Sequence, residues 1–145
     1  MKIAIGGDHA GFEYKNVILD YLKEKGHEVK DFGPETDESC DYPDYIHPLA
    51  QAIEKGEFDK GVIICGSGVG VMLVANKYQS IRAALCWRKE IAELSRQHNN
   101  ANVIALPARF ISVEDAISFV DTFLNTEFEG GRHERRVEKI SRKDA

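Results

Sequence analysis

Gly61-Val62-Ile63-Ile64-Cys65-Gly66-Ser67-Gly68-Val69-Gly70 decides the fold of this 145-residue chain. Its first half is an unbroken apolar run rich in β-branched residues, the pattern of a strand buried on both faces. Glycines at 66, 68 and 70 interrupt the run, and an apolar segment of helical character follows. Strand, glycine turn and helix together begin a parallel βα unit.

The same alternation recurs on both sides. Residues 2–5 predict a short strand ending at Gly6-Gly7. Phe12, Val17, Ile18, Tyr21 and Leu22 then fall near helical spacing, with Gly26 as the C-terminal cap. Residues 28–32 predict a second strand closed by Gly33-Pro34, and 35–43 a surface loop. Ile46, Leu49, Ala50 and Ile53 mark a helix stopped by Gly56. Downstream, 81–86 predict strand four, 91–96 lie in a helix, and 102–106 predict strand five. A helix capped by Ser112 follows and runs to about Leu124. Five strands with intervening helices imply one domain over residues 1–145. Its expected architecture is α/β, a three-layer open Rossmann-like fold with a five-stranded parallel sheet and right-handed crossovers. After Gly130-Gly131 comes a charged segment with Arg132, Arg135 and Arg136. It predicts a terminal helix that packs on a neighbouring subunit, hence a homodimer, with further pairing into a tetramer left open.

Composition narrows the function. Hydrophobic residues make up 43% and charged residues 30%, as in an ordinary soluble domain. A net charge of -5 argues against a nucleic-acid partner, although a local basic pocket for a small phosphorylated molecule stays compatible with it. Residues 62–75 are the most apolar stretch, but Gly66, Ser67, Gly68 and Gly70 break it, so no membrane span is expected. Residues 1–6 turn glycine-rich too early for the core of a signal peptide. Cysteines at 40, 65 and 86 form neither a disulfide framework nor a zinc spacing. Reduced thiols in the cytoplasm, with no metal and no cofactor, are the expectation.

Ligands of open α/β sheets sit at the carboxyl ends of the strands. The sequence reading collects there Asp8 and His9 after strand one, Cys65 and its glycine loop after strand three, and Arg109 after strand five. It adds His98-Asn99-Asn100, which end the helix before strand five. Cysteine is by preference a buried small hydrophobe. Cys65, however, closes a strand before a glycine turn into a helix, where backbone N–H groups favour a thiolate. Cys40 and Cys86 lack that setting and read as structural. The loop spells G-x-G-x-G and places Val71 where a dinucleotide fingerprint needs its last glycine, and it lacks the Gly-Lys-Ser/Thr of a P-loop. A nest of N–H groups for a small oxyanion fits it better. His98 taken alone is an ordinary surface histidine; beside two asparagines it is a candidate acid or base. Asp8 also suits a helix cap. Arg132 and Arg136 share a helical face, either as a solvated basic end or as a phosphate clamp.

Taken together, these residues resemble the ribose-5-phosphate isomerase B family, which includes the galactose-6-phosphate isomerase subunits. The resemblance runs from Asp8-His9-Ala10-Gly11 through Asp41-Tyr42-Pro43-Asp44-Tyr45, the Cys65 loop and Ile81-Arg82-Ala83-Ala84. It continues in Ser95-Arg96-Gln97-His98-Asn99-Asn100-Ala101-Asn102 and ends in Gly130-Gly131-Arg132-His133-Glu134-Arg135-Arg136. It implies a metal-free aldose–ketose isomerase in which Cys65 shuttles a proton between C1 and C2 of the open-chain sugar. Ser67 would assist, standing where the family more often has threonine. The N–H groups of Gly66, Gly68, Val69 and Gly70 would hold the enediolate. His98 would open the furanose ring, Asp8 and Asn99 would contact the sugar, and His9, Arg109, Arg132 and Arg136 would hold the phosphate. The resemblance also implies a site shared between two subunits.

Ribose 5-phosphate to ribulose 5-phosphate is the favoured reaction, because His9 stands where a galactose-6-phosphate subunit would be expected to differ. A six-carbon aldose phosphate (allose or galactose 6-phosphate) is the first alternative. A non-catalytic module binding a sugar phosphate or nucleotide is the second, and it would leave Cys65 and His98 without a task.

Overall fold

The computed structural model describes residues 1–141; the last charged residues of the expected terminal helix lie outside it. The chain runs β1 (Lys2–Gly7), α1 (Phe12–Glu24), β2 (Glu28–Asp31), α2 (Pro43–Glu54), β3 (Lys60–Cys65) and α3 (Val69–Ala75). It continues with β4 (Ala83–Leu85), α4 (Lys89–Gln97), β5 (Val103–Pro107), α5 (Val113–Asn125) and α6 (Arg132–Glu138). The sheet is wholly parallel in the order β2-β1-β3-β5-β4.

The apolar run that begins at Gly61 supplies the middle of this sheet, and its alternation sorts side chains into two cores. Val62 and Ile64 join Ile3, Ile5, Ile104 and Leu106 under α1 and α5. Ile63 and Cys65 join Ala4, Val103 and Ala105 under α2 and α3. Each fully buried isoleucine or leucine contributes about 1.5–3 kcal/mol, so the sheet is held from both faces. Ser112 caps α5 as expected, its Oγ accepting the Asp115 N–H at 3.1 Å. Lys15 of α1 is buried in the first layer, and its ammonium donates to Asp31 at 2.7 Å.

Two strands, β1 and β4, depart from the sequence reading by more than one residue at an end. β1 continues through Gly6 and Gly7, which pair with Ile63 and Ile64. A Cβ on Gly7 would lie 2.3 Å from the Ile64 carbonyl, so this closeness of β1 to β3 depends on glycine. β4 starts later than residue 81 because its approach is diverted. Ile81 N–H closes a turn on the Tyr78 carbonyl at 3.0 Å, and Arg82 N–H donates to the Asn102 carboxamide at 2.8 Å.

After β1 the chain steps outward to β2, then returns to set β3 on the other side of β1. α1 packs on one face of the sheet and α3 on the other. The loops leaving β1 and β3 therefore diverge and open a crevice at their carboxyl ends, the usual ligand position in such sheets.

Candidate active site

That crevice is a cavity of about 630 Å³ lined by Asp8, Tyr42, Cys65, Gly66, Ser67, Val69, Gly70, Leu73, Arg109 and Phe110. Asp8 leaves β1 here, only 9% exposed, and its carboxylate accepts the Gly11 N–H at 2.9 Å. That bond closes the turn before α1, whose N-cap is Gly11 with no side-chain partner, so Asp8 is not the helix cap; it lines the cavity instead. Cys65 ends β3 and is 5% exposed. Gly68 caps α3 with φ of 75°, a left-handed conformation suited to glycine, and its N–H donates to Cys65 Sγ at 3.1 Å. This bond fixes the sulfur at the cavity wall. The Ser67 hydroxyl is exposed and accepts the Val69 N–H at 3.3 Å. Two N–H groups of the expected oxyanion nest are thus engaged within the loop.

Arg109 closes one side. Its N–H donates to the Gly66 carbonyl at 3.0 Å, and its side chain crosses Gly66 so closely that a Cβ there would lie 3.2 Å from the guanidinium. Tyr42 closes another, with its ring against Gly70, where a Cβ would come within 2.7 Å. Val69, Leu73 and Phe110 form an apolar rim, and Phe110 is 76% exposed. Tyr42, Leu73 and Phe110 carry no role in the sequence reading. Tyr42 reaches the cavity from the start of α2, and nothing in local sequence signals that contact.

The other thiols differ from Cys65. Burial pushes Cys86 up to about 12, partly offset by a hydrogen bond with Ser95, so it stays protonated and inert at neutral pH. Cys40 is half-buried in the 35–43 loop, and its N–H donates to His9 Nδ1 at 3.4 Å. His9 follows Asp8 but is turned toward that loop rather than lining the cavity.

The remaining residues lie elsewhere, which corrects the expectation that His98 and Asn99 join the carboxyl ends. His98 caps the end of α4, ahead of β5. Cys65 is level with Pro107, the last residue of β5, whereas Val103 at its start is level with Gly61. A helix that returns to begin a parallel strand must end at the amino edge, about 13 Å or more away at roughly 3.3 Å per residue. Asn99 lines a separate cavity of about 510 Å³ with Asn76, Arg82 and Ile140. Arg132 and Arg136 are exposed on α6, which buries none of its residues. The described part of the tail rests on its own chain through His133, whose ring stacks on His98 at 4.2 Å. No described helix is long and apolar enough to cross a membrane.

Comparison with known proteins yields a consistent set. A family model described as Ribose/Galactose Isomerase matches residues 3–140. Ribose-5-phosphate isomerase B of Escherichia coli is 47% identical over 140 residues, covering 97% of this chain and 94% of that protein. The crystal structure of a ribose 5-phosphate isomerase from Thermotoga maritima superposes with a TM-score of 0.94 at 52% identity, covering 97% of each chain. Ribose-5-phosphate isomerase B from Mycoplasma genitalium, solved with bound ribulose-5-phosphate, superposes with a TM-score of 0.91. It is 44% identical and covers 96% of this chain and 93% of that one.

Proposed function

The chain belongs to the ribose/galactose isomerase family, and from that premise we propose that it interconverts ribose 5-phosphate and ribulose 5-phosphate. The observation that carries this reading is the cavity that joins a thiol, Cys65, to a guanidinium, Arg109, across a glycine loop. Such a cavity offers both a base and a phosphate partner. The relative that holds ribulose-5-phosphate supports the five-carbon sugar.

A sugar C2–H is too weakly acidic for water to remove, so the site needs a base held close and a partner for the developing enediolate. Cys65 as thiolate takes the C2 proton and returns it to C1. Ser67 passes the O2 hydroxyl proton on to O1, assisted by the loop N–H groups that Cys65 and Ser67 do not already engage. Asp8 holds a sugar hydroxyl. Arg109 holds the phosphate, whose binding orients the sugar against the sulfur, and His9 must turn away from the Cys40 loop to join it. These steps require no metal or redox cofactor.

Ring opening falls to His98, with Asn99 on the sugar and Arg132 and Arg136 on the phosphate. Because these four lie at the other edge of their own chain, a second copy supplies them, and the functional unit is a homodimer. The exposed rim of Val69, Leu73 and Phe110 supports this, since a partner laid across it would shield the enediolate from water. The three free cysteines fit a reducing, cytoplasmic setting.

Isomerisation of ribose 5-phosphate in heavy water tests the reading. The expected result is ribulose 5-phosphate carrying solvent deuterium. Cys65→Ala should abolish the exchange and lower turnover about a thousandfold, within the range of a lost general base, whereas Cys40→Ala should retain both. Full exchange in the Cys65 variant would remove the proposed base. Faster turnover of allose or galactose 6-phosphate would move the assignment to a six-carbon substrate.

A further inference from the structure

Among the described residues, one group of side chains forms a set of metal-ligand type, and it lies away from the Cys65 cavity. His98, Glu129 and His133 place one ligand atom each within 4.8 Å of one another. Glu129 Oε1 is 3.9 Å from His98 Nε2 and 3.7 Å from His133 Nε2. Both distances exceed a hydrogen bond, so the three groups lie close together without satisfying one another. The backbone holds them there: Glu129 N–H donates to the Gln97 carbonyl at 3.1 Å, which ties the tail to the end of α4 beside His98.

We propose that His98, Glu129 and His133 form a site for a divalent transition ion of the zinc class, and that filling it withdraws His98 from the sugar. The second half rests on the ring-opening role assigned to His98 above. Tetrahedral zinc holds nitrogen and oxygen ligands at about 2.0–2.2 Å, which sets the ligand atoms about 3.3–3.5 Å apart. The two separations from Glu129 exceed this by a few tenths of an ångström, and the two histidine nitrogens, within 4.8 Å of one another, must close by up to about 1.3 Å. The two rings stack within 13° of parallel, so the ion must also splay them to bring both lone pairs onto itself. The side chain of His98 is 40% exposed and that of Glu129 51%, which leaves room for the movement and for a water as fourth ligand.

The donor chemistry selects the metal. Two imidazoles and one carboxylate suit zinc, nickel or copper and do not suit calcium or magnesium. Arg132 and Arg136 nearby oppose any cation, so affinity must come from the nitrogen donors rather than from bulk negative charge.

Cobalt(II) titration of the metal-free protein tests the site. One equivalent per chain should give the intense visible absorbance of a tetrahedral centre. His133→Ala should lose that absorbance, Glu129→Gln should weaken binding at least tenfold with little change in shape, and Cys65→Ala should leave it intact. A spectrum unchanged by His133→Ala, or one lost with Cys65, would overturn the site while leaving the isomerase assignment standing. Zinc should then slow ribose 5-phosphate turnover about tenfold or more, reversibly with a chelator, and Glu129→Gln should relieve the inhibition. Unimpaired turnover by protein whose spectrum shows the site filled would overturn the withdrawal of His98.

Discussion

The carboxyl edge around Cys65 and the amino edge around His98 are built in opposite ways. At the first, backbone and side chains are packed so closely that a Cβ on Gly7, Gly68 or Gly70 would meet a neighbour at 2.3, 2.5 or 2.7 Å. At the second, Gly130 and Gly131 have nothing within 4 Å, and α6 buries no residue. Cys65 and its loop are held by a core on both faces of the sheet. His98 and the two arginines sit on a helix end and a tail with few tertiary contacts. In the proposed dimer each chain would carry both halves of a site, because the length of β5 keeps them apart within one chain.

The strongest way to break this comparison is to mix its halves. Cys65→Ala and His98→Asn chains should each be nearly inactive alone. Random pairing makes half of the dimers mixed, with one of their two sites intact, so the mixture should recover about a quarter of the normal activity. Absence of recovery would mean that each chain completes its own site.

A second experiment measures how firmly the carboxyl edge is held. Lys15 is 1% exposed and pairs with Asp31, whose other oxygen accepts the Gly33 N–H at 2.8 Å. Gly33 in turn accepts the Gly7 N–H at 3.0 Å, one residue from Asp8. Asp31→Ala should cost about 3 kcal/mol in urea unfolding, the low end for stranding a buried charge, because Asp31 is itself 30% exposed. Arg135→Ala on the exposed face of α6 should stay within about 0.5 kcal/mol. Equal losses would erase the contrast in packing.

The smallest effect concerns the segment between Arg109 and α5. Ser112→Ala removes the cap and should destabilise the protein by about 1 kcal/mol, read as a lower unfolding midpoint. Since α5 follows the Arg109-Phe110 wall directly, a modest rise in KM for ribose 5-phosphate should accompany it.

Much of the fold was legible because strand, glycine turn and helix repeat along the chain, and a parallel sheet buried on both faces writes its strands as plain apolar runs. The error in β4 arose where the Asn102 carboxamide takes the Arg82 N–H that would otherwise extend the ladder. That partner lies 20 residues away in sequence, beyond the reach of local pattern. Within the site, Cys65 and its loop were readable because they are contiguous. Tyr42 was not, because it meets Gly70 only through the packing of α2 beside α3, which no local pattern encodes.

The sequence by itself determined the alternation of elements, the thiol at a strand end, the glycine loop after it and the arginines of the tail, since each follows from neighbouring residues and their periodicity. Only the tertiary structure decided which edge of the sheet each of these occupies. Strand order and register are non-local: they set β1 against β3 to open the cavity at Cys65, and they place the end of α4, with His98, at the opposite edge. That separation turned a list of candidate residues into two half-sites.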